Sequence, residues 1–420
     1  MNDYHTPQEE NYKKRWITPQ VVSGIKSNPV VVLTGARQVG KSTFLLNQKF
    51  FDSWKYINLD DFNVLEQAES EPLSLWKNTD NIILDEVQKV PKLLSAVKQT
   101  VDKNRQSKRF LLSGSANLLL MEKVSESLAG RATYLYLYPM TQGEMEGRKK
   151  PDILSDLFNG ELPEEGKIED GKQKDIYSLM LKGFMPPLLT LKGKDEYLKW
   201  WEGYVTTYLE RDLRQLSQIE SLPDFKRVME AVALRSGQLI NQTEISRDVK
   251  VSQPTVHRYI NLLETTCHLR RIPAYSKNRT KRLIKSPKFY FIDPGLANYL
   301  CGNYNKKNLK KTKEAGRIFE SLVLLHLTVL CEMMVPGASI YYWRTASGQE
   351  VDFVIEHGKK LIGIEVKLSE TAHYKDTANL RIFMDEYPET IVGVLVYTGN
   401  VVKYLGENLI AVPWTVFSIK

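Results

Sequence analysis

The chain has 420 residues, of which 42% are hydrophobic, so it can bury several cores and is predicted to hold two to four domains. Three cysteines without CxxC spacing argue against a disulfide framework or a zinc site and fit a reducing, cytoplasmic compartment. The polar N-terminus and the lack of a long apolar run predict neither a secretory signal nor a membrane span, and a net charge of +8 is compatible with a nucleic-acid partner.

The first motif is a glycine-containing loop between an apolar run, Val30 to Leu33, and the start of an apolar helix. It fits the pattern G-x-x-x-x-G-K-S/T. In such a loop the backbone N–H groups turn inward around phosphates, the lysine reaches the β- and γ-phosphates, and the hydroxyl contacts Mg²⁺. The helix N-terminus adds positive potential. We therefore predict that a nucleoside triphosphate is bound by Gly35, Ala36, Arg37, Gln38, Val39, Gly40, Lys41, Ser42 and Thr43, with Lys41 also catalytic and Ser42 a magnesium ligand.

The second motif is an apolar strand that ends in two carboxylates, Asp85 and Glu86. We expect Asp85 to hold Mg²⁺ through water and Glu86 to orient the attacking water. The alternative is a strand with solvated acids at its end, which the upstream phosphate loop makes less favoured. A third strand starts at Arg109 and ends in small polar residues, so Ser113 or Ser115 is a candidate sensor of the γ-phosphate, although a simple turn explains them nearly as well.

These motifs, followed by Ser127-Leu-Ala-Gly-Arg131 and by the run from Tyr134 to Pro139, resemble the AAA-type ATPases of bacteria and archaea. In that group a restriction-nuclease-like domain of unassigned function follows the ATPase. The resemblance runs the full length of the chain and implies ATP and Mg²⁺ as cofactors. It also implies that Arg131 is an arginine finger, in cis or, within a homo-oligomer, in trans. The alternative is a helix-end arginine that pairs with a nearby acid.

Composition and periodicity divide the rest of the chain. Strands alternate with helical stretches from Val30 to Pro139, which predicts a parallel α/β sheet. Residues 147–175 are polar and rich in Gly and Pro, as expected of a linker or surface loop. A helical lid follows, with an aromatic stripe (Trp200, Trp201, Tyr204 and Tyr208) predicted to be core. The predicted domains are an ATPase core (1–146), a linker and helical lid (147–225), a winged helix-turn-helix (226–286) and a nuclease-like α/β domain (287–420).

The helix-turn-helix pattern consists of a helix from Gln242 to Val249, a turn ending at Ser252 and a second helix with Pro254 in its first turn. Residues 270–288 contain eight Lys or Arg and no acid, which predicts a basic wing between two strands. We expect DNA to be contacted by Gln253, Thr255, His257, Arg258, Lys277, Arg279, Lys281 and Arg282. The alternative is a protein-packing unit with a solvated basic turn.

The C-terminal third carries a second set of acids. Glu320 lies on an apolar helix, Asp352 on the second strand of a hairpin, and Glu365 and Lys367 lie two apart on the next strand, on one face. This order resembles the PD-(D/E)XK nucleases, although Val351 stands where the motif has proline. The resemblance implies that Glu320, Asp352, Glu365 and the Val366 carbonyl bind Mg²⁺ and that Lys367 positions or activates water. In the ATPase group this fold is often non-cutting.

Two functions follow from these patterns. In the first, nucleotide state controls a DNA-binding winged helix and a nuclease-like domain that cuts or grips DNA with Mg²⁺. In the second, the chain is a nucleotide-gated regulatory or signalling switch whose nuclease-like domain does not cut.

Overall fold

The computed structural model describes residues 12–103, 107–115, 128–168, 175–209, 219–278, 280, 282 and 285–419. The chain divides into two compact units. The first unit is Met1–Pro139 with Thr265–Cys267, and the second is Met140–Glu264 with His268–Lys420. No helix among the described residues combines the length and the apolar character needed to cross a membrane.

The first unit is built on a five-stranded sheet in the order β2-β3-β4-β1-β5, in which every pair is parallel. Its strands are β1 (Val30–Thr34), β2 (Lys55–Asn58), β3 (Asn81–Asp85), β4 (Arg109–Ser113) and β5 (Ala132–Tyr136). Its helices are α1 (Thr18–Ser27), α2 (Lys41–Leu46), α3 (Phe62–Ser70) and α4 (Leu93–Lys103), with 3-10 turns at Lys49–Phe51, Pro72–Trp76 and Val87–Lys89. The predicted parallel α/β sheet is confirmed.

The burial of these strands on both faces explains why their sequences are continuous apolar runs. Helices cover a parallel sheet on both faces, so its central strands expose neither side to water. Val30, Ile82 and Phe110, from three neighbouring strands, pack in one core with Val97 and Val101 of α4. Because the strands are parallel, their carboxyl ends meet at one edge, where the phosphate loop and the acids that follow β3 both lie.

The second unit begins with segments that the sequence divided between a linker and a lid. Its first elements are α5 (Gln142–Met145), α6 (Ile153–Asn159), β6 (Gly166–Lys167), α7 (Ile176–Lys182), a 3-10 turn (Pro186–Leu189), α8 (Lys194–Gly203) and a π-helical turn (Tyr204–Leu209). The linker prediction was wrong where the structure describes it, because β6 pairs with a strand of the C-terminal sheet. In the aromatic stripe, Trp201 and Tyr204 are buried, as predicted, whereas the side chain of Tyr208 lies outside the described residues.

A helix-turn-helix and a small sheet follow. The elements are α9 (Leu222–Ala233), β7 (Gln238–Leu239), α10 (Gln242–Val249), α11 (Gln253–Thr265), β8 (Leu269–Ile272) and β9 (Lys288–Phe291). Ser252 accepts a hydrogen bond from the Thr255 N–H (3.4 Å), as an N-cap residue does. β9 pairs antiparallel with both β7 and β8. The two predicted helices and the two strands after them are therefore present.

The C-terminal sheet has seven strands in the order β10-β11-β12-β13-β15-β14-β6. Its pairs are antiparallel except β12–β13 and β13–β15, which are parallel. The elements are α12 (Pro294–Leu300), α13 (Lys306–Leu309), α14 (Glu314–Glu332), β10 (Ser339–Arg344), β11 (Glu350–His357), β12 (Lys360–Lys367), a 3-10 turn (Tyr374–Thr377), α15 (Ala378–Glu386), β13 (Thr390–Tyr397), β14 (Val401–Gly406), β15 (Leu409–Pro413) and a final 3-10 turn (Trp414–Phe417). The predicted order of helix, hairpin and strand is present in α14 and β10 to β12.

Candidate functional site

The phosphate loop joins β1 to α2 in a conformation that depends on positive φ angles. Gly35 has φ 155°, Gln38 61° and Gly40 88°. A Cβ at Gly35 would lie 2.2 Å from the carbonyl oxygen of Leu137, so only glycine fits there. Gln38 adopts the left-handed region without being glycine, which costs backbone free energy and is common at ligand-binding loops.

Lys41 lies inside this loop. Its side chain is buried, and its Nζ donates to the carbonyl oxygens of Gly35 (3.0 Å) and Ala36 (2.9 Å). Burial lowers the pKa of Lys41, while the carboxylates of Glu86 and Asp85 act in the opposite direction. A desolvated ammonium among backbone carbonyls gains from an anionic partner, so the loop is suited to phosphate.

A buried arginine, Arg15, bonds the backbone of the phosphate loop. Arg15 donates to the carbonyl oxygens of Val39 (2.8 Å) and Tyr138 (2.6 Å), and it is 6% exposed. The sequence analysis did not single out this residue. The available signal was its position directly before Trp16 and Ile17, both of which are buried.

The two predicted magnesium ligands are brought together by a tyrosine that the sequence analysis missed. The Tyr56 hydroxyl donates to Asp85 Oδ2 (2.6 Å) and also hydrogen-bonds Ser42. Burial and the neighbouring Asp85 raise the pKa of Tyr56. No sequence pattern predicts this contact, because Tyr56 lies on β2, 29 residues from Asp85.

Glu86 lies at the end of β3 and has φ 56°, a left-handed conformation. Its carboxylate accepts a hydrogen bond from Gln88 Nε2, which also donates to Ser115 Oγ (3.2 Å). Burial raises the pKa of Glu86. Ser113 is fully buried, so Ser115 is the sensor candidate that belongs to this polar network. Gln88 was also missed by the sequence analysis.

Arg131 lies at the opposite edge of the sheet from the phosphate loop. It precedes β5, and its carbonyl oxygen accepts from the N–H of Val30, the first residue of β1. Five residues of β1 separate this edge from the loop, a distance of roughly 16 Å along the strand. The guanidinium makes two hydrogen bonds with Asp102 (2.6 and 3.2 Å) at the end of α4. The helix-end pairing is thus observed, and a finger acting in cis does not fit this arrangement.

The second unit gathers the other predicted acids, Glu320, Asp352 and Glu365, into what we call the acidic site, which also includes Glu350, a residue that the sequence analysis missed. Asp352 and Glu365 are buried, and Asp352 accepts from the Val366 N–H (2.8 Å). Burial and the Asp352 charge raise the pKa values of Glu320 and Glu365, and burial raises that of Asp352. Glu365 Oε1 accepts from Lys367 (2.7 Å), while its Oε2 has no partner among the described residues.

A lysine also enters the acidic site. Lys288 is 2% exposed, pairs with Glu350 and lies 4.0 Å from Asp352 Oδ1. Burial alone lowers the pKa of Lys288, but Asp352, Glu320 and Glu350 outweigh it, so the net shift is upward. Within the described part of the chain, no group of three or more His, Cys, Asp or Glu is arranged to hold a metal ion. The sequence analysis had assigned Lys288 to the predicted basic wing.

The prediction that the wing carries uncompensated charge was wrong for its described cations other than Lys285, because acids elsewhere in the second unit pair with them. Arg282 forms a bidentate pair with Glu356 (2.8 and 3.0 Å). The remaining pairs are Arg270 with Glu332 (3.7 Å), Arg271 with Glu264 (2.8 Å) and Lys277 with Glu389 (3.2 Å). Arg279 and Lys281 lie outside the described residues.

Some of the α11 side chains that were predicted to contact DNA also have partners within the protein. Arg258 pairs with Glu220 (3.0 Å), and Thr255 hydrogen-bonds Ser252 (2.8 Å). His257 contacts Asn261 within the helix (2.9 Å). Gln253 and His257 are exposed. The solvent-facing polar set is therefore smaller than the sequence predicted.

Three parts of the chain match known families. Residues 27–146 match an AAA domain, residues 173–307 a domain of unknown function (DUF8612), and residues 315–417 another domain of unknown function (DUF4143). The AAA match agrees with the predicted ATPase core. The third match does not support the nuclease resemblance.

Similar proteins are found among curated sequences and solved structures. An uncharacterised protein of Mycobacterium tuberculosis and one of Mycobacterium bovis are each 30% identical over 387 residues, which cover 92% of this chain and 80% of theirs. A Walker-type ATPase of Pyrococcus abyssi is 15% identical, with a TM-score of 0.44 over 67% of this chain and 93% of its own. The chain belongs to the family of these two mycobacterial proteins and carries an AAA-type P-loop ATPase domain.

Proposed function

We propose that the first unit hydrolyses ATP with Mg²⁺, and that nucleotide state controls DNA binding by the helix-turn-helix and the activity of a nuclease-like C-terminal domain. One observation supports ATP hydrolysis best. At one edge of the parallel sheet, four side chains lie close together: Lys41, Ser42, Asp85 and Glu86. A buried cation, a hydroxyl and two carboxylates form a donor set that suits a magnesium nucleotide.

Each side chain has a distinct task in this proposal. Lys41 releases the loop carbonyls and binds phosphate oxygens, while Arg15 keeps the loop backbone in place. Ser42 and Asp85 hold Mg²⁺, which neutralises phosphate charge when bound. Glu86 orients water, and Gln88 holds the Glu86 carboxylate in position.

DNA binding is proposed for the exposed start of α11. Gln253 and His257 present amide and imidazole groups that suit base edges, and the preceding Lys250 is exposed. The paired cations Arg258 and Arg282 contribute less, because each already has a carboxylate partner. This interface predicts modest affinity with a shallow salt dependence.

The acidic site does not fit a divalent cation in the arrangement described, because Lys288 already neutralises it. We therefore propose no cleavage step at the acidic site. This observation favours the second candidate function, a nucleotide-gated regulatory switch whose C-terminal domain does not cut.

One experiment separates the two functions. Wild type, Lys41→Ala and Asp352→Ala are incubated with Mg²⁺, with and without ATP, on single- and double-stranded DNA. Cleavage by the wild type that is lost in Asp352→Ala supports the nuclease-like function. Intact ATP turnover and DNA binding without cleavage supports the switch. The exposed Asp385 provides the matched control variant, Asp385→Ala.

A further inference from the structure

The acidic site combines several carboxylates with one deeply buried ammonium. Burying a charge without a partner is costly, so buried carboxylates need a compensating cation. Lys367 bonds Glu365, but its side chain is 44% exposed. Lys288, with a side chain 3% exposed, is therefore the inner cation, shared between Glu350 and Asp352.

The lysine and the carboxylates belong to different sheets. Glu350 and Asp352 lie on β11 of the seven-stranded sheet, whereas Lys288 lies on β9, between β7 and β8 of the helix-turn-helix sheet. Two residues further along β9, on the same face, the hydroxyl of Tyr290 donates to Glu320 (2.9 Å). Strand β9 thus supplies both a cation, Lys288, and a hydrogen-bond donor, Tyr290, to the acidic site.

A second observation is a buried carboxylate oxygen in this site that lacks a hydrogen-bond donor. Glu365 is 5% exposed, and its Oε2 has no partner among the described residues. A buried carboxylate oxygen without a donor costs free energy. It is the kind of oxygen that a divalent cation takes as a ligand.

We propose that Lys288 takes the place of a divalent cation in the acidic site, and that the site binds metal only when the Lys288 ammonium no longer lies between Glu350 and Asp352. The proposal rests on the nuclease-like part of the proposed function. An ammonium and a divalent cation between the same carboxylates repel one another, so their occupancies exclude each other.

The test is Mn²⁺ binding to the full, nucleotide-free chain, measured by the loss of the free-ion electron paramagnetic resonance signal. Removing the ammonium should tighten binding, so Lys288→Met is expected to bind Mn²⁺ at least about tenfold more tightly than the wild type. Lys285→Met is the matched control, because it removes the same charge from an exposed position three residues away. It should bind as the wild type does. Equal affinity in the wild type and Lys288→Met overturns the proposal.

Two further variants identify the site. Among the described residues, Lys288→Met leaves Glu350 with only Arg344 at 3.5 Å. The double variant Lys288→Met/Glu350→Gln, which removes both partners of the ion pair, therefore controls for a folding defect and should also bind Mn²⁺ more tightly than the wild type. Asp352→Asn in the Lys288→Met background should abolish the added binding, whereas binding that survives lies elsewhere and overturns the proposal. If neither lysine variant binds Mn²⁺, the metal site implied by the nuclease resemblance fails as well. If the wild type already binds tightly through Asp352, only the role of Lys288 fails.

Discussion

At the nucleotide site, the polar side chains around the phosphate loop have hydrogen-bond partners within the chain itself. Lys41 bonds loop carbonyls, Tyr56 joins Ser42 to Asp85, and Gln88 joins Glu86 to Ser115. These contacts satisfy polar groups that would otherwise be buried without partners. Nucleotide binding therefore exchanges one set of hydrogen bonds for another.

Lys41→Ala is expected to lower ATP turnover at least about 100-fold, because the phosphates lose a cation in a desolvated position. Turnover is measured by phosphate release, and the exposed Lys26 provides the control Lys26→Ala, which should retain it. Normal turnover in Lys41→Ala would refute the assignment of the phosphate loop.

Glu86 carries a prediction about pH. Burial raises the pKa of its carboxyl above the ordinary 4.5, and only the ionised form accepts a hydrogen bond from the attacking water. Turnover should therefore fall as the pH decreases through this raised value. Glu86→Gln should bind nucleotide, turn over at least about 100-fold more slowly and lack this acid limb. A pH profile of kcat for both proteins checks this, and an unchanged acid limb in the variant would contradict it.

Tyr56→Phe tests the link between Ser42 and Asp85. Removing a hydrogen bond to a buried carboxylate should lower the free energy of unfolding of the nucleotide-free protein by about 2 kcal/mol. The loss should be smaller with magnesium and ATP, because Asp85 then has another partner. Urea unfolding with and without the nucleotide measures both values. The same loss in both conditions would show that Tyr56 has no connection with the nucleotide site.

At the scale of elements, the segment between β8 and β9 joins two sheets of the second unit through ion pairs. The guanidinium of Arg282 lies between the rings of Tyr275 (4.4 Å) and Tyr341 (4.8 Å) while it pairs with Glu356. With two aromatic rings and a carboxylate as partners, this cation stabilises the fold. Basic residues between two strands are consequently a weaker sign of DNA binding here than composition suggested.

Arg282→Ala is expected to lower the free energy of unfolding by about 3 kcal/mol, because it leaves Glu356 without its largely buried partner. Lys277→Ala should cost less than about 1 kcal/mol, since that ion pair is exposed. Urea unfolding gives both values, and fluorescence anisotropy with duplex DNA shows whether affinity changes. A DNA affinity that falls tenfold in Arg282→Ala without loss of stability would restore this residue to the interface.

At the scale of the whole molecule, the position of Arg131 bears on assembly. An arginine at the amino edge of the sheet does not reach phosphates at the carboxyl edge of the same chain, so a catalytic role requires a second copy. If Arg131 acts in trans, turnover per chain should rise with protein concentration in the wild type and stay flat in Arg131→Ala. Mass measurements with and without nucleotide show whether the copies associate. A flat wild-type profile with a constant monomer mass would leave Arg131 only its pairing with Asp102.

The sequence by itself determined the phosphate-loop motif and the parallel α/β character of the ATPase core. The phosphate loop, Asp85 and Glu86 follow buried apolar strands, and such local patterns survive folding because adjacent residues carry them. The helix-turn-helix could be predicted for the same reason, from its periodicity and its Ser252 cap. The arrangement of Asp352, Glu365 and Lys367 followed from the alternation of side chains along a strand.

Only the tertiary structure decided which distant charges meet. Tyr56 and Asp85 are 29 residues apart, Arg282 and Glu356 are 74 apart, and Lys288 pairs with Glu350 across two sheets. Coulombic and hydrogen-bonding free energies depend on distance in space, which sequence periodicity does not contain. For this reason most of the described cations of the predicted basic wing proved to be paired with acids, and one of them, Lys288, lies among the acids of the other sheet.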